Sequence, residues 1–252
     1  MVSQPPYRIL QVTDTHFAAD PEFSVDGVNL RGALNAVFAQ IRAEERPVDA
    51  ILATGDLSED ASPESYVALR DALQTLETPV FCIPGNHDDP MIMERYLPGG
   101  WVVCTPQFEL GAWQLHLLST YLPGSPAGEL GEAQRANLAA ALASNAGKFA
   151  LLAMHHPPLS IGSPWMDAMG CRDDEALQAL VAAHSSVRGV LWGHAHQEFA
   201  LARHGAMWWG TPSTGYQYKP AVSEYECDEL PPGYRVIQLH ADGSVFSEVI
   251  RI

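Results

Sequence analysis

Asp14 and His16, Asp56, Asn86 and His87, His155 and His156, and His194 and His196 are the residues of this chain whose types and spacing could do chemistry. Carboxylate, imidazole and amide oxygen together suit Mn, Fe or Zn better than a thiolate-favouring metal. Asp14 and His16 are separated by one residue, as are His194 and His196, and residues so spaced in an extended segment point the same way, toward one ion. Asp14, His16, Asp56, Asn86, His155, His194 and His196 are enough ligands for two ions if one carboxylate bridges them. A pair of ions about 3.5–4 Å apart lowers the pKa of a water between them, and the chemistry of such a pair is metal-assisted hydrolysis. Taken singly, each motif has a plainer reading. Asn86 also suits a turn at positive φ, Gly55 a backbone bend, and His156 a supporting or core position.

What lifts the set above coincidence is the elements that must position it. Arg8–Thr13 reads as a buried strand, Leu30–Glu45 as an amphipathic helix, Ala50–Thr54 as a strand, Pro63–Leu76 as a helix and Pro79–Ile83 as a third strand. This rhythm implies parallel strands joined by right-handed crossovers. Farther on, Trp101–Thr105, Phe108–Gly111 and Gln114–Ser119 read as strands able to form antiparallel pairs. Gly131–Ala143 and Asp173–Ala183 read as helices leading to strands at Phe149–Ala153 and Val187–Trp192. A terminal hairpin, Tyr234–His240 with Ser244–Ile250, turns through Asp242-Gly243. Every candidate pair therefore follows directly on a strand, where open α/β sheets bind their ligands. The pattern predicts one domain over residues 1–252, with two sheets facing each other and helices outside.

Composition narrows the partners. With 47% apolar and 17% charged residues, the chain reads as a soluble globular enzyme and not as a disordered one. Thirty acidic against fourteen basic side chains give a net charge of -16, which repels nucleic-acid backbones and anionic membranes. A small anionic substrate needs buried cations to reverse that field locally. Cys82, Cys104, Cys171 and Cys227 follow no disulfide or CxxC spacing and read as reduced thiols. No apolar run reaches the length of a membrane span and the N-terminus carries no signal core, so the expected location is cytoplasmic.

The ordered series Asp14-Thr15-His16, Gly55-Asp56, Gly85-Asn86-His87-Asp88, His155 and Gly193-His194-Ala195-His196 resembles the calcineurin-like metallophosphoesterase superfamily over about residues 8–200. The resemblance implies a four-layer α/β/β/α sandwich of two mixed sheets flanked by helices. It implies two divalent ions, Fe and Mn foremost with Zn as a further candidate. Asp14, His16 and His196 would hold one ion, and Asn86, His155 and His194 the other, with Asp56 bridging. His87 would lie over the substrate phosphate as a catalytic group. A hydroxide bridging the ions would attack phosphorus in line with the leaving oxygen.

Phosphoprotein phosphatases of that superfamily carry an arginine four residues after the bridging aspartate, where this chain has Asp60. A carboxylate there disfavours a dianionic monoester and leans toward a diester. The tail, Gly210-Thr211-Pro212-Ser213-Thr214-Gly215-Tyr216-Gln217-Tyr218 and Pro232-Gly233-Tyr234-Arg235, with His155-His156-Pro157-Pro158, resembles bacterial class III cyclic nucleotide phosphodiesterases. Their reaction is hydrolysis of 3',5'-cyclic AMP to 5'-AMP. Gly215 stands where cysteine is frequent. Tyr216 and Tyr218, in a Gly/Pro-rich loop, are the candidates to stack a nucleobase. The expected partner is thus a small-molecule phosphodiester, with no nucleic acid and no membrane, and relatives suggest a homodimer through the tail strands. Two alternatives remain at this stage: a broad phosphodiesterase or phosphatase acting on another nucleotide or a lipid headgroup, and a non-enzymatic protein-binding scaffold on the same fold.

Overall fold

Buried on both faces, the first strand has no polar side to turn to water. This is β1 (Tyr7–Val12) of the computed structural model, which describes residues 5–44, 46–144 and 147–252. A small hairpin, β2 (Ser24–Val25) and β3 (Val28–Asn29), leads into α1 (Leu30–Ala43), whose first turn is capped by the Asn29 side chain accepting from the Gly32 amide. β4 (Ala50–Thr54) is wholly buried, and α2 (Pro63–Gln74) opens with Ser62 as cap and Pro63 in its first turn. Then come β5 (Val80–Ile83), α3 (Pro90–Tyr96), β6 (Val102–Val103), β7 (Gln107–Leu110) and β8 (Trp113–Leu117). The second half runs α4 (Gly131–Ser144), β9 (Phe149–Ala153), α5 (Pro164–Asp167), α6 (Asp174–Ala183) and β10 (Val187–Trp192). Three antiparallel pairs close the chain: β11 (Phe199–Arg203) with β12 (Ala206–Gly210), β13 (Gln217–Tyr218) with β14 (Cys227–Asp228), and β15 (Gly233–Leu239) with β16 (Val245–Arg251).

Two six-stranded mixed sheets result, in the orders β16-β15-β1-β4-β5-β6 and β11-β12-β10-β9-β8-β7. In the first, β1, β4, β5 and β6 are parallel neighbours; in the second, β8, β9, β10 and β12 are. The period-two alternation of each strand sorts its side chains between layers. Leu10, Val12, Ile51 and Ala53 pack with Leu34, Phe38, Leu69 and Met93 of α1, α2 and α3. Ile9, Ala50 and Leu52 face the other way and meet Leu115, Leu151 and Leu191 of the second sheet. Leu152, Val190 and Trp208 of that sheet pack outward on Leu138 of α4 and on Leu177 and Val181 of α6. These three apolar cores separate four layers, helices–sheet–sheet–helices, as expected.

Most predicted elements lie within one or two residues of their expected bounds, although Glu45, the expected end of α1, is outside the described residues. Trp101–Thr105 departs more. Only β6 forms there, and it joins β5 in parallel in the first sheet, so it makes no antiparallel pair with β7 or β8. α3 was not anticipated, although Asp89-Pro90 is a helix-start signal: the Asp89 carboxylate accepts from the Met91 and Ile92 amides. The four cysteines are free. Among the described residues no helix is long and apolar enough to cross a membrane.

Candidate metal centre

The loops that leave β1, β4 and β5 in one sheet and β9 and β10 in the other converge on one buried cluster. Asp14, His16, Asp56, His194 and His196 all have left-handed backbone, with φ of 53°, 44°, 46°, 61° and 47°. Such conformations in non-glycine residues cost on the order of 1 kcal/mol or more each and gather at functional sites. Asp14 and His16 therefore share a direction because each is turned back by its backbone, not because they lie in an extended strand as the spacing suggested. The turned loops are pinned to one another: the Asp14 amide donates to the Gly55 carbonyl (3.0 Å), His16 to Asp56 (2.9 Å), and the His194 amide to both Asp14 carboxylate oxygens (3.0 and 3.1 Å). Gly85 is required for the closest approach, since a Cβ there would collide with the Asp56 amide and carboxylate.

At the centre, His16 Nε2 and His196 Nε2 are 3.3 Å apart, and His196 Nε2 is 3.3 Å from an Asp14 oxygen. Asp56 Oδ2 lies 3.3 Å from His155 Nε2 and 3.8 Å from His16 Nε2, while Asn86 Oδ1 is 3.3 Å from His155 Nε2. His194 joins through its ring, 5.1 Å from that of His155, and lies within reach of a common ion with it. All seven expected ligands are thus brought together, six of them nearly or wholly buried.

Whether a cation fits can be read from the hydrogen bonds behind each ring. His16, His155 and His196 face acceptors at Nδ1: the Glu59 carboxylate at 2.7 Å, the Thr54 carbonyl at 2.9 Å and the Tyr216 carbonyl at 2.9 Å. With Nδ1 held outward by an acceptor, each ring can offer Nε2 inward to a cation, the arrangement that orients metal-binding histidines. His194 Nε2 is shielded from water with no hydrogen-bond partner among the described residues. Lone pairs and carboxylates facing one another in a dry interior repel, and a divalent cation between them removes the repulsion. The residues fit the group. His156 does not join them: Nδ1 is 2.7 Å from Thr120 Oγ1 and Nε2 3.2 Å from the Pro126 carbonyl, so both nitrogens are engaged elsewhere. Burial pushes its pKa down to about 3.

Burial works against the Asp56 carboxylate, yet His155 and His16 hold its pKa well below the usual range; burial also opposes the Asp14 carboxylate, and His196 lowers its pKa. His155 is raised to about 9 by Asp56 in spite of its burial, whereas burial drives His194 well below its ordinary value. His87 lies at the rim, its side chain 39% exposed and its amide donating to Asp56 Oδ1 at 2.9 Å. Its Nδ1 is 3.3 Å from Glu59, and that hydrogen bond raises it to about 9.

Two supporting carboxylates escaped the sequence reading. Glu59 serves His16 and His87 at once. Asp88 ties the two catalytic loops, accepting from the amides of Leu57 (3.1 Å), Ser58 (3.0 Å) and Gly85 (2.8 Å) and from the Tyr66 hydroxyl (3.0 Å). Asp88 belongs to the Gly85-Asn86-His87-Asp88 motif, which was the only signal for it; Glu59 offered none. Asp60 is held on the surface by the Ala19 and Ser62 amides at 2.9 and 3.0 Å. Of the two tyrosines expected to stack a base, Tyr216 is buried, its ring 4.6 Å from that of His196, and Tyr218 lies flat on His196 at 4.2 Å.

Comparison with known proteins agrees with this geometry. The calcineurin-like phosphoesterase family model matches residues 7–198. The chain is 36% identical over 252 residues to a Vibrio vulnificus protein named 3',5'-cyclic adenosine monophosphate phosphodiesterase CpdA, covering 100% of this chain and 92% of the relative. It is 37% identical over 246 residues to the Escherichia coli protein of the same name, covering 97% and 90%. Among solved structures, a dimetal phosphatase from Danio rerio shares the fold with a TM-score of 0.67 at 15% identity, covering 98% of this chain and 99% of that one.

Proposed function

The chain belongs to the calcineurin-like phosphoesterase family, and from that premise we propose that it is a metal-dependent phosphodiesterase hydrolysing 3',5'-cyclic AMP to 5'-AMP. The observation that carries the proposal is the inward convergence of imidazole Nε2 atoms on the Asp56 and Asp14 carboxylates. Asp14, His16 and His196 would hold one ion, Asn86, His155 and His194 a second, and Asp56 would touch both; the donor mixture suits iron and manganese, with zinc a further candidate. When bound, two divalent ions supply positive charge to the phosphate oxygens and an activated water for attack.

The chain's own residues do the rest. Thr54, Glu59 and Tyr216 hold the imidazoles in the tautomer that faces inward. Hydrolysis adds water across one P–O bond: phosphorus gains an oxygen, the ribose oxygen leaves, and that oxygen takes a proton. His87, at the rim with Nδ1 on Glu59, is the group placed to give that proton from Nε2. Asn86 precedes it in the same loop and would meet both ion and phosphate. We treat residues 1–252 as one catalytic unit, because β15 pairs with β1 in the first sheet and the loop between β12 and β13 supplies the Tyr216 carbonyl that orients His196.

A hydrolysis panel tests the proposal, with manganese-loaded protein assayed with and without chelator. The substrates are 3',5'-cyclic AMP, 2',3'-cyclic AMP, bis-p-nitrophenyl phosphate and p-nitrophenyl phosphate. Chelator-sensitive turnover of 3',5'-cyclic AMP is expected, with Asn86→Ala losing at least about 100-fold in kcat. Turnover of the synthetic diester alone would discard the cyclic nucleotide and keep the diesterase chemistry.

A further inference from the structure

Tyr218, Trp165 and Tyr225 build an aromatic wall that starts on the metal centre. Tyr218 stacks on His196 with centroids 4.2 Å apart and planes 18° from parallel. Trp165 of α5 meets Tyr218 edge-on at 5.0 Å and Tyr225 at 5.8 Å, and Tyr218 and Tyr225 are 5.4 Å apart. Three distant stretches hold the wall in place. The Tyr225 hydroxyl donates to Asp26 in the β2–β3 turn, the Ala221 amide donates to Ser163 Oγ at 2.9 Å, and Gln197 donates to the Lys219 carbonyl at 3.3 Å.

These three rings belong to none of the apolar cores that hold the layers together. Tyr225 is 51% exposed, and Trp165 is partly so. The tail segment that carries the wall is acidic, with Glu224, Glu226, Asp228 and Glu229, so it repels a second phosphate while leaving an uncharged flat ring unopposed.

We infer that Trp165, with Tyr218 and Tyr225, is a specificity-determining residue that receives the uncharged aromatic base of a nucleoside phosphodiester by stacking. The inference rests on the cyclic-nucleotide reading above and adds to it the residue that selects for a base. Base-on-aromatic stacking of the size measured by alanine substitution corresponds to about 5- to 150-fold in kcat/KM.

The test compares 3',5'-cyclic AMP with a base-free control, the 3',5'-cyclic phosphate of methyl riboside, on the manganese-loaded wild type, Trp165→Ala and Trp165→Phe. Trp165→Ala should lose about 5- to 150-fold in kcat/KM for cyclic AMP and less than about 2-fold for the base-free control. Trp165→Phe keeps a ring with a smaller stacking face, and should fall between. In metal-free protein, 5'-AMP should quench the intrinsic fluorescence of the wild type and leave that of Trp165→Phe nearly unchanged. Equal losses on both substrates, or none on cyclic AMP, overturn the assignment of Trp165 alone. A wild type that cleaves bis-p-nitrophenyl phosphate but neither cyclic phosphate overturns the cyclic-nucleotide reading, and the base-binding wall with it.

Discussion

At the scale of single residues, the candidate ligands that the structure brings together were legible because metal chemistry admits few side chains, and this chain places them directly after strands. Their orientation was not legible. The sequence suggested extended i and i+2 pairs, whereas five of the ligands sit in left-handed backbone that only the crossing hydrogen bonds between loops stabilise. Glu59 was invisible for the same reason: its value lies in the curl of the Asp56 loop, which returns its carboxylate to His16 at 2.7 Å and His87 at 3.3 Å. Burial opposes its charge, yet the hydrogen bonds to those two rings hold it down at about 2. Glu59→Gln keeps the shape but removes the negative charge from the group whose one oxygen, Oε2, faces both rings. Loss of a supporting hydrogen bond behind a metal-binding histidine lowers activity or metal affinity by about 10- to 100-fold, and a loss of that size in kcat/KM is expected here. Steady-state kinetics beside a thermal melt decide it. An unchanged kcat/KM would remove Glu59 from the site, and a collapsed melting point would make its role structural.

At the scale of elements, the strand–helix rhythm could be read because apolar periodicity is local, while features created by contacts between distant segments could not. β6 is two residues long and exists through its parallel pairing with β5. The start of α4 is another such feature, for no residue just before it caps the helix. The cap comes instead from Asp173, whose carboxylate accepts from the Leu130 and Gly131 amides at 2.9 Å each and pairs with Arg135. Partial burial works against that carboxylate, but the two amides, the Cys171 thiol and Arg135 hold its pKa below the ordinary value. A group depressed in the folded state contributes stability that is present above its unfolded pKa, ~3.9, and is lost as pH falls through the lower folded value. Asp173→Asn should therefore cost about 1–2 kcal/mol at pH 7, in the range of a lost helix cap. The gap between variant and wild type should narrow below about pH 4. Urea midpoints at pH 7, 5 and 3.5 measure it, and a gap independent of pH would show that the carboxylate charge is not the stabilising element.

At the scale of the whole molecule, the centre belongs to neither sheet. Asp14, His16, Asp56 and Asn86 follow strands of the first sheet, and His155, His194 and His196 follow strands of the second. The layered architecture was legible from the order of strands and helices, but this sharing has a consequence for stability that only the assembled site reveals. Without cations, five side chains from both halves crowd around two depressed carboxylates, and His194 Nε2 has no hydrogen-bond partner among the described residues. A ligand that binds only the folded form stabilises it by about 2.7 kcal/mol at a hundredfold excess over Kd. In a chain of this length each kcal/mol moves the melting point by about 2–4 °C. Manganese-saturated protein should therefore melt about 5–10 °C above chelator-treated protein. Asp56→Asn, which removes the one carboxylate shared by both clusters, should lose most of that increment even if its own metal-free melting point rises through relief of a buried charge. A metal-dependent shift of the same size in Asp56→Asn would mean that the stabilising ion is held somewhere other than between the two sheets.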